Sequence, residues 1–285
     1  MKKIDIVISV CSIQHIEVWK ITSKEIIRNI PASRYRLFVP DDDLDAFKEI
    51  SPDEYEILGD SSIIGDLKNR LLSKMPASQH FRVGWYLQQF IKLTAIHEAT
   101  DGDVILIWDA DTVPLKQLEF IAPDGALSFY TGKENHAPYF DNIAATLNLE
   151  KIVDYSFIAQ CFPIRGEWAH AFFSYVEEHC QTDWLDGLIN KIDFTQSAGF
   201  SEYETLGTFL THNYKDYLNP LPNQWLRKGA SAVGGLENLE TALSKFVLRR
   251  YDFVSFENWD TLSFWKLLKH RLMIGPIHTR FSKRG

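Results

Sequence analysis

The chain has 285 residues, enough to bury a large core and to form one big domain or one domain with an appendage. With 45% hydrophobic and 24% charged residues it has the make-up of a soluble globular protein. A net charge of -8 speaks against a general nucleic-acid binder, which would carry a basic face.

In chain order, Ile4 to Val10 reads as a strand of β-branched residues, Ile16 to Ile30 as a helix stopped before Pro31, and Tyr35 to Val39 as a second strand. Leu44 to Ile50 has helical spacing and Tyr55 to Leu58 reads as a third strand. This β-α-β-α-β opening predicts a sheet with parallel strands, covered by helices. Val83 to Ala99 is a strong helix. A Thr-Asp-Gly-Asp turn leads from it into Val104 to Trp108, a buried strand of five apolar residues. Leu127 to Thr131 and Phe157 to Pro163 read as later strands, Glu167 to His179 and Asp183 to Ile192 as helices. Ser201 with Glu204 three residues on matches a capping box at a helix start. After Pro220 the pattern grows irregular. Leu239 to Leu248 is helical or extended, and Asp260 to Met273 is a basic helix broken by Gly275-Pro276. The expected division is a main domain over 1–219 and an extension over 220–285.

Charge is uneven. Asp41 to Asp66 is acidic and Lys266 to Arg284 is basic, which suggests an anionic partner such as a diphosphate, a phospholipid or a lipid phosphate. The amphipathic stretch Phe264 to Met273 suits either peripheral membrane contact beside a lipid-linked acceptor or a helix packed over an acceptor cleft. Three cysteines, Cys11, Cys161 and Cys180, form no CxxC pair and read as thiols of a reducing compartment. The first residues lack a signal-peptide pattern, and no apolar run reaches the roughly 18 residues of a membrane span. The expected location is the cytoplasm, including the inner face of the cell membrane. The eight tryptophans can stack on sugars or bases, but most are expected in the core.

Asp109-Ala110-Asp111 carries the chemistry. Two carboxylates at the end of a buried strand are costly unless a cation holds them, and a divalent metal on a phosphorylated ligand would do so. The bland alternative is an acidic loop. Asp109-Ala110-Asp111-Thr112-Val113 also resembles the nucleophile string of haloacid-dehalogenase-like phosphatases, with Asp109 attacking phosphorus. That family keeps the string near its N-terminus and adds a downstream acidic pair, and neither feature is present here. Non-catalytic glycan binding is a further alternative.

Three blocks in order, Gly84 to Leu93, Trp108 to Thr112 and Phe200 to Thr205, resemble bacterial GT-A-type glycosyltransferases of polysaccharide synthesis, many of them known only as domains of unknown function. The resemblance spans about residues 4–214. It implies a GT-A-like α/β fold, a Rossmann-like mixed sheet flanked by helices. It also implies transfer from a UDP- or GDP-sugar to a bacterial surface glycan or lipid-linked acceptor, with Mn²⁺ or Mg²⁺ as cofactor. Asp111 is then the direct metal ligand, Asp109 binds metal, ribose or both, and His278 is a candidate third ligand. Ser9, Val10 and Cys11 end the first strand, where ligands bind in open α/β sheets. With Asp41, Trp108, Asp109, Arg280 and Lys283 they make up the expected nucleotide site. Gln88, Gln89 and Lys92 share one helix and are assigned to sugar, with a solvated helix face as the alternative. Glu202 and Glu204 are the candidates for the base of an inverting transfer, Glu202 preferred because the capping box engages Glu204.

Overall fold

The computed structural model describes residues 3–222 and 224–260. β1 (Ile4–Val10), α1 (Ile16–Asn29), β2 (Ala32–Val39), α2 (Leu44–Ile50) and β3 (Tyr55–Gly59) realise the expected opening. β2 starts three residues early because Ala32 pairs with Ile4, and the exposed Ser33 and Arg34 hide this in the sequence. Two short helices, α3 (Ser61–Ile64) and α4 (Leu67–Lys74), precede α5 (Val83–His97). β4 (Val104–Trp108) follows. It pairs in parallel with β1, Ile6 opposite Ile105 and Ile8 opposite Ile107. All five of its residues are buried, so both faces of the sheet are covered there.

The chain then turns sharply into β5 (Thr112–Pro114) and continues through β6 (Leu127–Tyr130), α6 (Ala137–Leu147), β7 (Cys161–Arg165), α7 (Gly166–Cys180), α8 (Trp184–Ile189) and α9 (Glu202–Asn213). β8 (Leu218–Leu221), β9 (Trp225–Leu226), α10 (Gly229–Val233), α11 (Ala242–Leu248) and β10 (Phe253–Ser255) complete the described chain. The main sheet has the order β3-β2-β1-β4-β7. Its first four strands are parallel and β7 runs antiparallel to β4, so the α/β class holds with a mixed sheet. From β1 the chain winds outward to β3, then returns to place β4 on the other side of β1. At that reversal the carboxyl ends of β1 and β4 frame a crevice, the usual ligand position in such sheets.

β7 begins four residues later than expected. Gln160 has φ +63°, a left-handed conformation that interrupts extension, and Phe157 before it packs against Phe129, Phe162 and Tyr155. The smaller sheets have the orders β5-β10-β9 and β6-β8. β8 crosses the expected division at 219/220, and β10 folds back onto β5 with Ser255 opposite Thr112. A second apolar cluster, with Val18, Val113, Leu248 and Val254, joins this returning segment to α1.

Five of the seven tryptophans among the described residues are buried: Trp19, Trp108, Trp168, Trp184 and Trp225. Each such burial is worth on the order of 2–3 kcal/mol. Cys11 and Cys161 are buried and Cys180 half-buried, all as free thiols. Among the described residues no helix is long and apolar enough to cross a membrane.

Candidate active site

A cleft of about 810 Å³ opens at the carboxyl ends of β1, β2 and β4 and runs along α5. Asp109 and Asp111 line it, on the turn between β4 and β5. The turn is fixed by backbone bonds. Thr112 N donates to Asp109 O (3.0 Å), Phe256 N to Asp111 O (2.8 Å) and Asp109 N to Gln160 O (2.9 Å). Thr112 Oγ1 also meets Ser255 Oγ at 2.7 Å. The left-handed Gln160 holds this arrangement at a backbone cost on the order of 1 kcal/mol.

Behind Asp109 lies an ammonium group. Lys92, its side chain 3% exposed, donates to Asp109 Oδ1 (2.6 Å), Glu202 Oε1 (2.8 Å) and Tyr203 Oη (3.3 Å). Tyr203 Oη donates in turn to Asp109 Oδ1 (2.7 Å). All three ammonium protons are therefore used, and among the described residues Asp109 Oδ2 has no hydrogen-bond partner. Burial disfavours the charged lysine, but the two carboxylates overcome this and hold its pKa above the ordinary value. Glu202 is raised by burial against the opposing pull of Lys92.

Asp111 is placed differently. Thr112 Oγ1 reaches its Oδ1 at 3.3 Å, and among the described residues it forms no ion pair. Burial first, then Asp109 and Glu257, push its pKa up to about 7. Asp109 and Glu257 are held by Lys92 and Arg227, whereas the buried Asp111 feels both their charges with no ion pair of its own among the described residues, a costly placement that a hard cation would relieve. Asp111 and Asp109 Oδ2 thus fit a hard divalent ion. Among the described residues no three His, Cys, Asp or Glu side chains form a ready-made cage, so such an ion would also need ligand oxygens.

Other expected residues divide clearly. Val10, Cys11, Gln88, Lys92 and Glu202 line the cleft. Ser9 does not: it is fully buried and its hydroxyl donates to Trp108 O (2.8 Å), tying β1 to β4. Trp108, expected at the nucleotide, is a core residue whose Nε1 donates to Thr112 O (2.7 Å). Asp41 lies off the cleft wall, its carboxylate so close to Gly59 that a Cβ there would stand 1.9 Å from Oδ1. Asp60, beside it, lines the cleft instead. Gln89 also borders the cleft but is almost fully buried; its Oε1 accepts from Glu202 N (3.0 Å) and its Nε2 donates to Trp85 O (3.2 Å), so its amide positions the start of α9.

Glu204 faces away from the cleft, accepting from Ser156 Oγ, Phe157 N (3.1 Å) and Lys151 Nζ (3.1 Å). It is a structural anchor, which removes it as a base. Ser201 Oγ does accept from Glu204 N (3.3 Å), as a capping box requires, but the Glu204 side chain does not return the bond. His278, Arg280, Lys283 and the basic segment at 264–273 lie outside the described residues.

Several cleft residues carried no sequence signal. His15 sits near enough to Asp109 to feel its charge, yet burial lowers its pKa, so it is neutral at pH 7. Arg227 donates to Glu134 (2.5 Å) and Glu257 (2.6 Å), and Gln160 Nε2 donates to Glu257 (2.9 Å). Gln160, Arg227 and Glu257 belong to segments whose local pattern names no chemistry; only the return of β10 to β5 brings Glu257 to the acidic turn.

The class these observations define is an α/β protein with an acidic cleft at a sheet's topological switch point. The chain belongs to the family of unknown function DUF6492, whose model matches residues 1–228. No curated protein matches it in sequence. Among solved structures it is similar to the galactosyltransferase LgtC in complex with donor and acceptor sugar analogues, at 8% identity and TM-score 0.47, covering 98% of this chain and 97% of that one. An active-site mutant of LgtC gives 9% identity, TM-score 0.47 and 95% of both chains. Mouse xyloside xylosyltransferase 1 in its apo form gives 8% identity and TM-score 0.48, covering 92% of this chain and all of that one.

Proposed function

We propose that this protein is a metal-dependent, GT-A-like glycosyltransferase that moves a sugar from a UDP- or GDP-sugar to a bacterial surface glycan or lipid-linked acceptor. The observation that carries the reading is the acidic turn at the carboxyl end of β4. Among the described residues Asp111 there has no cationic partner, while Asp109 is braced from behind by Lys92 and Tyr203. Asp111 and Asp109 Oδ2 would hold Mn²⁺ or Mg²⁺, which supplies charge neutralisation for the leaving nucleoside diphosphate.

The chain's own residues do the rest. Lys92 fixes Asp109 and Glu202 in one geometry, so the donor-side carboxylate and the base are aligned before the substrates arrive. Glu202 Oε1 is held by Lys92, which leaves Oε2 to take the proton of an acceptor hydroxyl. As that oxygen bonds to the anomeric carbon, the bond to the diphosphate oxygen breaks and the proton moves to Glu202, an inverting displacement. Burial keeps Glu202 more basic than an exposed carboxylate.

Incubation with UDP- and GDP-sugars and Mn²⁺ tests this. Nucleoside diphosphate release that disappears in Asp111→Ala is the expected result, with product of inverted anomeric configuration by NMR. Full turnover by that variant refutes the metal assignment, and a retained configuration refutes Glu202 as base. Phosphate release from simple phosphoesters without nucleotide sugar would instead favour the phosphatase alternative.

A further inference from the structure

The two described tryptophans that are not among the five buried ones, Trp85 and Trp259, both line the cleft. Trp259 is 53% exposed, and Trp85 sits in the first turn of α5. Arg82 lies over Trp85, its guanidinium carbon 4.5 Å from the ring centroid. Tyr139 lines the same cleft, and among the described residues its hydroxyl has no hydrogen-bond partner.

Among the described residues three lysine or arginine side chains line this cleft. Lys92 is taken by Asp109 and Glu202, and Arg227 by Glu134 and Glu257. Arg82 alone of the three forms no ion pair, and its Nε is buried without an acceptor. A stacked guanidinium with an unsatisfied buried donor is set for an anionic, planar or tetrahedral acceptor group. The first turn of α5 has no side-chain cap, so the helix dipole adds positive potential at the same place.

The position argues for the acceptor rather than the donor. Lys92, which marks the Asp109 end, is ten residues further along α5, about 15 Å at the helical rise. On that backbone spacing Arg82 stands toward the opposite end of the cleft from a diphosphate held at Asp109 and Asp111. Glu202 is joined to α5 through Lys92 and Gln89, and the cleft runs on from it along α5 to Arg82.

Resting on the transferase reading above, we propose that Arg82, laid on Trp85, is a specificity-determining residue that binds a carboxylate or phosphate carried by the acceptor glycan. The largely exposed Trp259 ring on the same cleft is available to an adjoining sugar.

The test uses the full chain, with and without Mn²⁺ and UDP or GDP. It is titrated with methyl glucoside, methyl glucuronide and glucose 6-phosphate, and binding is read by tryptophan fluorescence. At least one anionic probe should bind about ten- to a hundredfold tighter than the neutral one. Glucuronide preference identifies a carboxylate-bearing acceptor and phosphate preference a phosphorylated one. Arg82→Gln should reduce the preference to within twofold, and Arg82→Lys should keep part of it. Equal binding of neutral and anionic probes, or a preference that survives Arg82→Gln, overturns the proposal. So does an Arg82→Gln variant that loses nucleotide affinity as strongly as anion affinity, which would put Arg82 at the donor. Wild-type protein that binds no nucleotide yet keeps an Arg82-dependent preference overturns the transferase reading, and with it the acceptor role, and leaves Arg82 as the anion-binding residue of a glycan site.

Discussion

Replacing Lys92 by Met keeps the stem and removes the charge beneath the acidic turn. Lys92 bonds Asp109 and Glu202 at 2.6 and 2.8 Å, and its side chain is 3% exposed. Its Nζ also stands 4.7 Å over the Tyr203 ring. The variant leaves two largely buried carboxylates without their cation, a change that costs about 3–5 kcal/mol. For a chain of this size that lowers the thermal midpoint by roughly 10 °C. The loss depends on pH. Glu202 is already raised by burial, and only Lys92 and hydrogen bonding hold it down, so it rises further in the variant. A carboxyl whose folded pKa exceeds its unfolded value binds its proton preferentially in the fold. The deficit is therefore largest at pH 8 and shrinks as the pH falls through that raised pKa toward about 4.3, the ordinary glutamate value. Urea denaturation at pH 8 and pH 5 measures it, and Glu202→Gln added to Lys92→Met should recover part of the loss at pH 8. A deficit below about 1 kcal/mol at pH 8, or one that does not change with pH, would refute the buried-charge reasoning.

Other outcomes follow from the same geometry. In the presence of a chelator, Asp111→Asn should stabilise the protein at pH 8 by roughly 2–4 kcal/mol, because the carboxyl pushed up to about 7 is charged there at a cost. That gain disappears as the pH falls toward 4, while Mn²⁺-dependent nucleotide binding is lost at every pH; equal midpoints at pH 8 would contradict it. Glu202→Gln should lower turnover by about 10²–10⁴ with nucleotide affinity kept within a few-fold, whereas Glu204→Gln should cost about 2–3 kcal/mol of stability with nucleotide affinity unchanged. Kinetics and denaturation of the pair decide this, and the reverse pattern would exchange their roles. Gly207→Ala puts a Cβ 2.1 Å from the Phe157 ring, so a loss of about 1–3 kcal/mol is expected by calorimetry; a neutral result would mean α9 does not pack there as described.

The β-α-β-α-β opening, the buried run of β4 and the helix before it can be read from the order of residues alone. So can an acidic pair at the strand end and a free-thiol chemistry for the cysteines. These are local properties, written in the spacing of apolar residues and in which residues punctuate them. The α/β class follows from their order. Which side chains meet is a different matter. Lys92 reaches Glu202 across 110 residues, and nothing near Lys92 in the chain separates a buried anchor from a solvated helix face. Ser9 and Val10 are neighbours, but the strand pleat turns one hydroxyl to Trp108 and leaves the other residue on the cleft. Glu202 and Glu204 differ by two positions on a helix, enough to point them to different partners. The left-handed Gln160, the antiparallel β7 and the arrival of Glu257 on β10's return depend on strand order and register. Only contacts between distant segments select those, so the acidic pair was legible from its own neighbourhood while its brace, the nearby Glu257 and the placement of Arg82 on Trp85 belonged to the tertiary structure.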